Sequence, residues 1–156
     1  MPTHRYETRL RWTGSTGLGW DGYDRTHTAV APPAEQEISL TTGESKGDPR
    51  ILNPEQLLVM AASSCQMLSF LHCAAKARID VVGYEDDATG VMPDDDKPLR
   101  ITHITLRPRI TILGEASEER VRGLVETAHE HCFIANSLRT EMSLEPRIEI
   151  RAEASA

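Results

Sequence analysis

The sequence predicts an α+β fold in a single domain, residues 1–156, with antiparallel sheet around two central helices. Three observations lead there. The segments run strands, helix, strands, helix, strand, with no βαβ alternation. Helical periodicity is confined to two segments, each opened by a recognisable cap. With 156 residues, 39% hydrophobic and 26% charged, the chain can bury one core without staples.

Each element follows from local chemistry. Residues Arg5 to Trp12 alternate roughly and predict a first strand. GSTGLGWDGYD, Gly14 to Asp24, is a glycine-rich hairpin loop; it lacks the Gly-Lys-Ser/Thr ending of a phosphate loop, and its glycines do not follow the dinucleotide fingerprint. THTAVA and QEISLTT read as two more short strands, and Thr41 to Leu52 as a polar loop. The first helix starts with Asn53 as N-cap, Pro54 in the first helical position and Gln56 closing a box-like cap, and it runs to about Ala77. Its apolar residues go nearly all round, so it should be covered on most sides. The charge-free run Gln56 to Ala75 has the length of a membrane span, but Gln56, Ser63, Ser64, Gln66, Ser69 and His72 mark it as a helix buried in a globule. Ile79 to Met92 and Leu99 to Leu113 predict two long strands joined by the acidic turn PDDDKP. Ser117 caps a second helix to about His131, with Val121, Leu124, Val125, Ala128 and then Cys132 as its apolar stripe. Arg147 to Ala152 alternates and predicts a last strand.

Charge narrows the functional classes. A net charge of −7 with no basic cluster argues against nucleic acid and anionic membrane surfaces as partners. The N-terminal MPTHRYETRLRW has no apolar run, so a secretory signal is not expected and the expected location is cytoplasmic. In a reducing cytosol three cysteines are free, catalytic or metal-binding rather than a disulfide framework.

Each cysteine, taken alone, reads as a small buried hydrophobe. Cys73 keeps that reading; it lies eight residues from Cys65, roughly 12 Å along a continuous helix, too far for a disulfide. Cys65 and Cys132 differ as a pair. Cys65 sits mid-helix after the small residues Ala61, Ala62, Ser63 and Ser64, and Cys132 ends an inward stripe, so the thiols would meet if the two helices pack. An apolar burial alone would leave them inert, because burial raises a thiol pKa. Activation calls for a cation, for which Arg25 and Arg50 are both candidates, and a carboxylate to hold it, for which Glu55 is a candidate. Ten helical residues span about 15 Å, so Glu55 cannot sit beside Cys65 of the same straight helix. A two-fold homodimer with these helices antiparallel would bring Glu55 of one chain toward Cys65 of the other. His129, His131 and Cys132 (HEHC), with His72 beside Cys73, invite a metal reading, but i and i+2 residues point apart on a helix and no CxxC or HExxH is present, so no metal or cofactor is expected.

The chain resembles the OsmC/Ohr family of thiol-dependent hydroperoxide reductases. The resemblance rests on NPEQLLVMAASSC around Glu55 and Cys65, on AHEHCFIANS around Cys132, on the order of strands and helices, and more weakly on Arg25 in YDRTH after the glycine loop. It implies an OsmC-like fold in an intertwined homodimer with active sites at the interface. It implies an antioxidant peroxidase active in the stress response, with Cys65 peroxidatic, Cys132 resolving, and Arg25 and Glu55 the polar pair that activates Cys65. Its substrate would be an organic hydroperoxide and its reductant a dithiol of the dihydrolipoyl type. Met60, Met67, Leu68, Phe70 and Phe133 would suit an alkyl or fatty-acid peroxide, and would equally serve as core. Better-known members follow the second cysteine with proline, where this chain has Phe133-Ile134, and Gln66 follows the first; both departures bear on substrate preference and reductant. The competing class is a non-enzymatic redox-sensing or small-molecule-binding protein of the same fold. The role of His27, beside the arginine motif, is open at the level of sequence.

Overall fold

Alternation in the N-terminal third of the chain produces a small antiparallel sheet. β1 (Arg9–Arg11), β2 (His27–Val30) and β3 (Glu37–Leu40) lie in that order, with Leu10 opposite Ala29 and Ala29 opposite Ile38. The computed structural model describes residues 1–43 and 46–152 of the chain. β1 is shorter than the alternation over residues 5–12 predicts. Its inter-strand ladder covers only Arg9 to Arg11, and all three are exposed, so no buried face anchors further pairs. The glycine-rich loop between β1 and β2 contains one 3-10 turn, Thr16–Leu18, started by the Ser15 hydroxyl accepting from the Gly17 N–H. The polar loop after β3, of which residues 44 and 45 lie outside the described residues, returns at Leu52, whose carbonyl accepts from Thr41 N–H at 2.9 Å.

The first helix, α1 (Pro54–Lys76), begins as its cap predicts. Asn53 Oδ1 accepts from Gln56 N–H at 2.8 Å, and Gln56 Oε1 accepts from Asn53 N–H at 3.1 Å, so two otherwise orphaned donors are satisfied reciprocally. The helix ends with Ile79 N–H bonded to the Ala74 carbonyl and Arg78 N–H to that of Ala75. Arg78 takes the left-handed conformation this closure needs, at φ 57°. Burial along α1 falls into stripes of spacing four. Ala62, Gln66, Phe70 and Ala74 are buried, and Met60, Ser64, Leu68 and His72 are exposed. The two stripes are offset by two residues, on roughly opposite faces of the helix. The expectation of cover on most sides therefore does not hold within one chain: Met60 is 52% and Leu68 61% exposed. By length and composition α1 would cross a bilayer, but its buried stripe is part of the protein core.

Two compact units divide the chain, Met1–Leu57 and Leu58–Ala156. In the second, the two long predicted strands each break in two, giving β4 (Asp80–Asp86), β5 (Thr89–Val91), β6 (His103–Leu106) and β7 (Pro108–Leu113). The cause is at Arg107, whose backbone N–H leaves the ladder and donates instead to the Asp86 carboxylate at 2.6 Å, while Ser63 of α1 donates to the other oxygen of the same carboxylate. Two sheets result. Beyond α2 (Glu118–Glu130), α3 (Phe133–Ser137), β8 (Glu141–Leu144) and β9 (Arg147–Arg151) complete them, in the orders β4-β7-β9 and β5-β6-β8. Each sheet is thus an antiparallel pair with one parallel edge, β7 to β9 and β6 to β8, because the helical crossover through α2 and α3 returns the chain in the same direction. α3 and β8 are absent from the sequence expectation. Phe70, Ala74, Ile79, Ile110, Ile112, Val121, Val125 and Ala128 form the main core, and Ala62, Ile104 and Leu106 a second.

Candidate active site

Cys65 lies on the border stripe of α1, between exposed Ser64 and buried Gln66, and it is half-buried. Gln66 fixes this stretch of α1 against α2: fully buried, it donates from Nε2 to the Val125 carbonyl at 3.0 Å. Cys132 lies at the elbow between α2 and α3. Its extended backbone, φ −69° and ψ 114°, ends α2 and makes it the N-cap of α3, with Sγ accepting from Ala135 N–H at 3.5 Å. Asn136 braces the elbow, donating from Nδ2 to the carbonyls of Glu130 at 2.9 Å and Cys132 at 3.0 Å. Both thiols are free, and each is close enough to shift the proton affinity of the other.

The two sulfurs differ in proton affinity. Burial pushes the Cys65 thiol up. Donors outweigh it, namely the N–H of Ile134, the Cys132 thiol, the N–H of Phe133 and the Ser69 hydroxyl, and they hold Cys65 below its ordinary value. The two N–H groups open α3, where helical donors have no partner of their own and favour an anion. For Cys132 burial dominates. Burial and the neighbouring Cys65 together carry the thiol up to about 11, with the N–H groups of Ala135 and Ile134 only partly opposing. Cys65 is therefore the more readily ionised of the two, and Cys132 the one that keeps its proton to higher pH. Cys73 packs half-buried against the main core, on the same border stripe as Cys65, and keeps its filler role.

Arg25 and Glu55 belong to the N-terminal unit. The Arg25 guanidinium lies 3.8 Å from the ring centroid of Tyr23 and 4.9 Å from that of Trp20, and it donates to the carbonyls of the same two residues, at 3.0 and 2.7 Å. Glu55 is exposed in the first turn of α1, and among the described residues it forms no ion pair with Arg25. The alternative arginine, Arg50, is highly exposed and engaged by Asp48 within its own loop, at 2.6 Å. His27 Nδ1 contacts the Arg25 carbonyl at 2.9 Å, so it braces the backbone of the arginine motif. Among the described residues no cluster of histidine, cysteine or carboxylate could hold a metal ion. His131 of the HEHC run instead contacts the Thr127 carbonyl at 2.8 Å.

Three contributors escaped the sequence reading. Ser69 was readable, since it lies one turn beyond Cys65. Asn136 stood in the quoted motif without a role. The open N–H groups of Phe133 and Ile134 had no signal, because nothing in FIANS announces a five-residue helix.

Comparison with known proteins agrees with this architecture. A family model described as OsmC-like protein matches residues 46–147. No curated protein matches by sequence. Among solved structures, an OsmC-like protein of unknown function from Vibrio cholerae superposes with a TM-score of 0.83 at 28% identity, covering 93% of this chain and 100% of that one. An organic hydroperoxide resistance protein from Elizabethkingia anophelis gives 0.68 at 15% identity, over 96% of this chain and 99% of that one. One from Bacillus subtilis gives 0.59 at 16%, over 95% and 98%. With the family model spanning most of its length, the chain belongs to the OsmC-like protein family.

Proposed function

We propose that this protein reduces organic hydroperoxides to alcohols, with Cys65 as attacking thiolate and Cys132 as resolving thiol. The observation that carries the reading is the placing of two neighbouring free thiols in surroundings that shift their proton affinities in opposite directions. Support also comes from two proteins of the same fold described as organic hydroperoxide resistance proteins.

In this reading the Cys65 thiolate attacks the outer oxygen of ROOH. The O–O bond breaks, RO⁻ leaves and takes a proton as ROH, and Cys65 becomes a sulfenic acid. The Cys132 sulfur then attacks the Cys65 sulfur, losing its proton as hydroxide leaves, so water is released and a disulfide closes. An external dithiol, of the dihydrolipoyl type, reopens it by exchange and is itself oxidised to a disulfide. Arg25 stabilises the thiolate and the charge developing on the peroxide, and Glu55 is its carboxylate partner. Since Arg25 and Glu55 do not pair among the described residues of one chain, the reading includes a homodimer in which Glu55 comes from the other copy. The exposed stripe of α1 with Met60 and Leu68 supports such an interface. The cycle needs a reducing compartment such as the cytosol.

The test is one equivalent of an organic hydroperoxide added to reduced protein, followed by peptide mapping without reduction. A Cys65–Cys132 disulfide with Cys73 free is the expected result, and three unchanged thiols would sink the reading. Sustained turnover with a dithiol separates an enzyme from a sensor that oxidises once. Cys65→Ser should abolish turnover, and Cys132→Ser should allow one oxidation per site and then over-oxidation of Cys65.

A further inference from the structure

Arg25 is held by its own loop. The chain has two tryptophans, and both take part. Trp20 stacks on the guanidinium, as does Tyr23. Trp12 supports Tyr23 edge-to-face, with ring centroids 6.2 Å apart and planes at 85°, and its indole N–H donates to the Asp24 carbonyl at 2.8 Å. The two backbone carbonyls that accept from Arg25 belong to the two residues whose rings cover it, so plane and in-plane direction are set together. Asp24 closes the turn, its carboxylate accepting from Thr26 N–H at 2.9 Å. A guanidinium is suited to this, because it is planar, weakly hydrated and carries donors in a fixed fork; an ammonium has none of those properties.

We infer that Tyr23 and Trp20 are positioning residues that orient the Arg25 guanidinium, so that ring stacking and carbonyl acceptors fix it before any carboxylate or substrate arrives. The inference rests on the reading above, in which Arg25 assists Cys65. It goes beyond that reading by assigning the orientation of Arg25 to the aromatic loop and not to Glu55 alone.

Single-turnover oxidation of Cys65 by cumene hydroperoxide tests it in the full chain. Tyr23→Leu should slow the step about tenfold, and Tyr23→Phe, which keeps the ring, should recover most of that loss. Arg25→Lys keeps the charge and loses the planar fork, so it should fall with Tyr23→Leu. A readout free of peroxide chemistry uses a Trp12→Phe background, where Trp20 is the sole indole: adding Arg25→Lys should increase acrylamide quenching of Trp20. The inference is overturned by a Tyr23→Leu rate within about twofold of wild type, by a wild-type rate in Arg25→Lys, or by unchanged Trp20 quenching. A wild-type protein whose Cys65 is not oxidised overturns the peroxidase reading and this role with it. Normal wild-type oxidation with a silent Tyr23→Leu overturns the clamp alone.

Discussion

At Cys65, burial and hydrogen bonding act on one thiol in opposite directions, and the hydrogen bonds prevail. At Cys132 the balance reverses, because its own sulfur is fully buried and its neighbour becomes an anion. The sign gives a pH prediction. As pH rises through the lowered Cys65 value, Cys65 should be alkylated by iodoacetamide first, while Cys132 stays protonated and unreactive until pH approaches about 11. Mass spectrometry of partly alkylated protein reads the order, and earlier labelling of Cys132 would contradict it. Phe133 sharpens the test. Its N–H helps hold the thiolate, and a proline has no N–H to give. Proline also suits the first position of a helix, and the preceding Cys132 already has the extended backbone that a following proline requires. Phe133→Pro should therefore keep the fold and move the midpoint of Cys65 alkylation to higher pH. An unmoved midpoint would remove the Phe133 N–H from the account. The thiols themselves were legible in the sequence, Cys65 after a run of small residues in the first helix and Cys132 at the end of the apolar stripe of the second. Their asymmetry was not, since it depends on which sulfur faces the open N–H groups of α3.

Among the elements, α1 was the most legible, because its start is written in three residues of one turn: Asn53, Pro54 and Gln56 each do what local chemistry dictates. Its far end was less so. Arg78 occupies the left-handed position where glycine is usual, at φ 57°. Arg78→Gly should stabilise the protein by up to about 1 kcal/mol, read as a higher midpoint in urea, and a destabilised variant would mean that the arginine side chain outweighs the backbone cost. The long strands predicted over Ile79 to Met92 and Leu99 to Leu113 show the limit of periodicity. A hydrophobic pattern runs through a strand break without change. The break depends on the Asp86 carboxylate reaching the N–H of Arg107 across the sheet, 21 residues away in sequence. β8 and its parallel pairing with β6 were likewise invisible, because a four-residue strand beside the core is recognisable only by its neighbour.

For the whole molecule, the exposed stripe of α1 has the largest consequence. Met60 and Leu68 lie two turns apart on a face opposite the buried stripe, and they remain over half exposed in the single chain. Under the proposed homodimer, Leu68→Lys should convert dimer to monomer in sedimentation equilibrium, and a wild type that is monomeric at all concentrations would remove the interface. The amino-acid sequence by itself determined the α+β class and both long helices with their caps, and it singled out the pair of cysteines on which the proposed chemistry rests. These follow from nearest neighbours and helical spacing, which act within a few residues. Only the tertiary structure decided which thiol is the more readily ionised, where the strands divide, and that an aromatic loop holds Arg25. Each of those depends on groups distant in sequence or on ring and carbonyl geometry, and no local pattern encodes it.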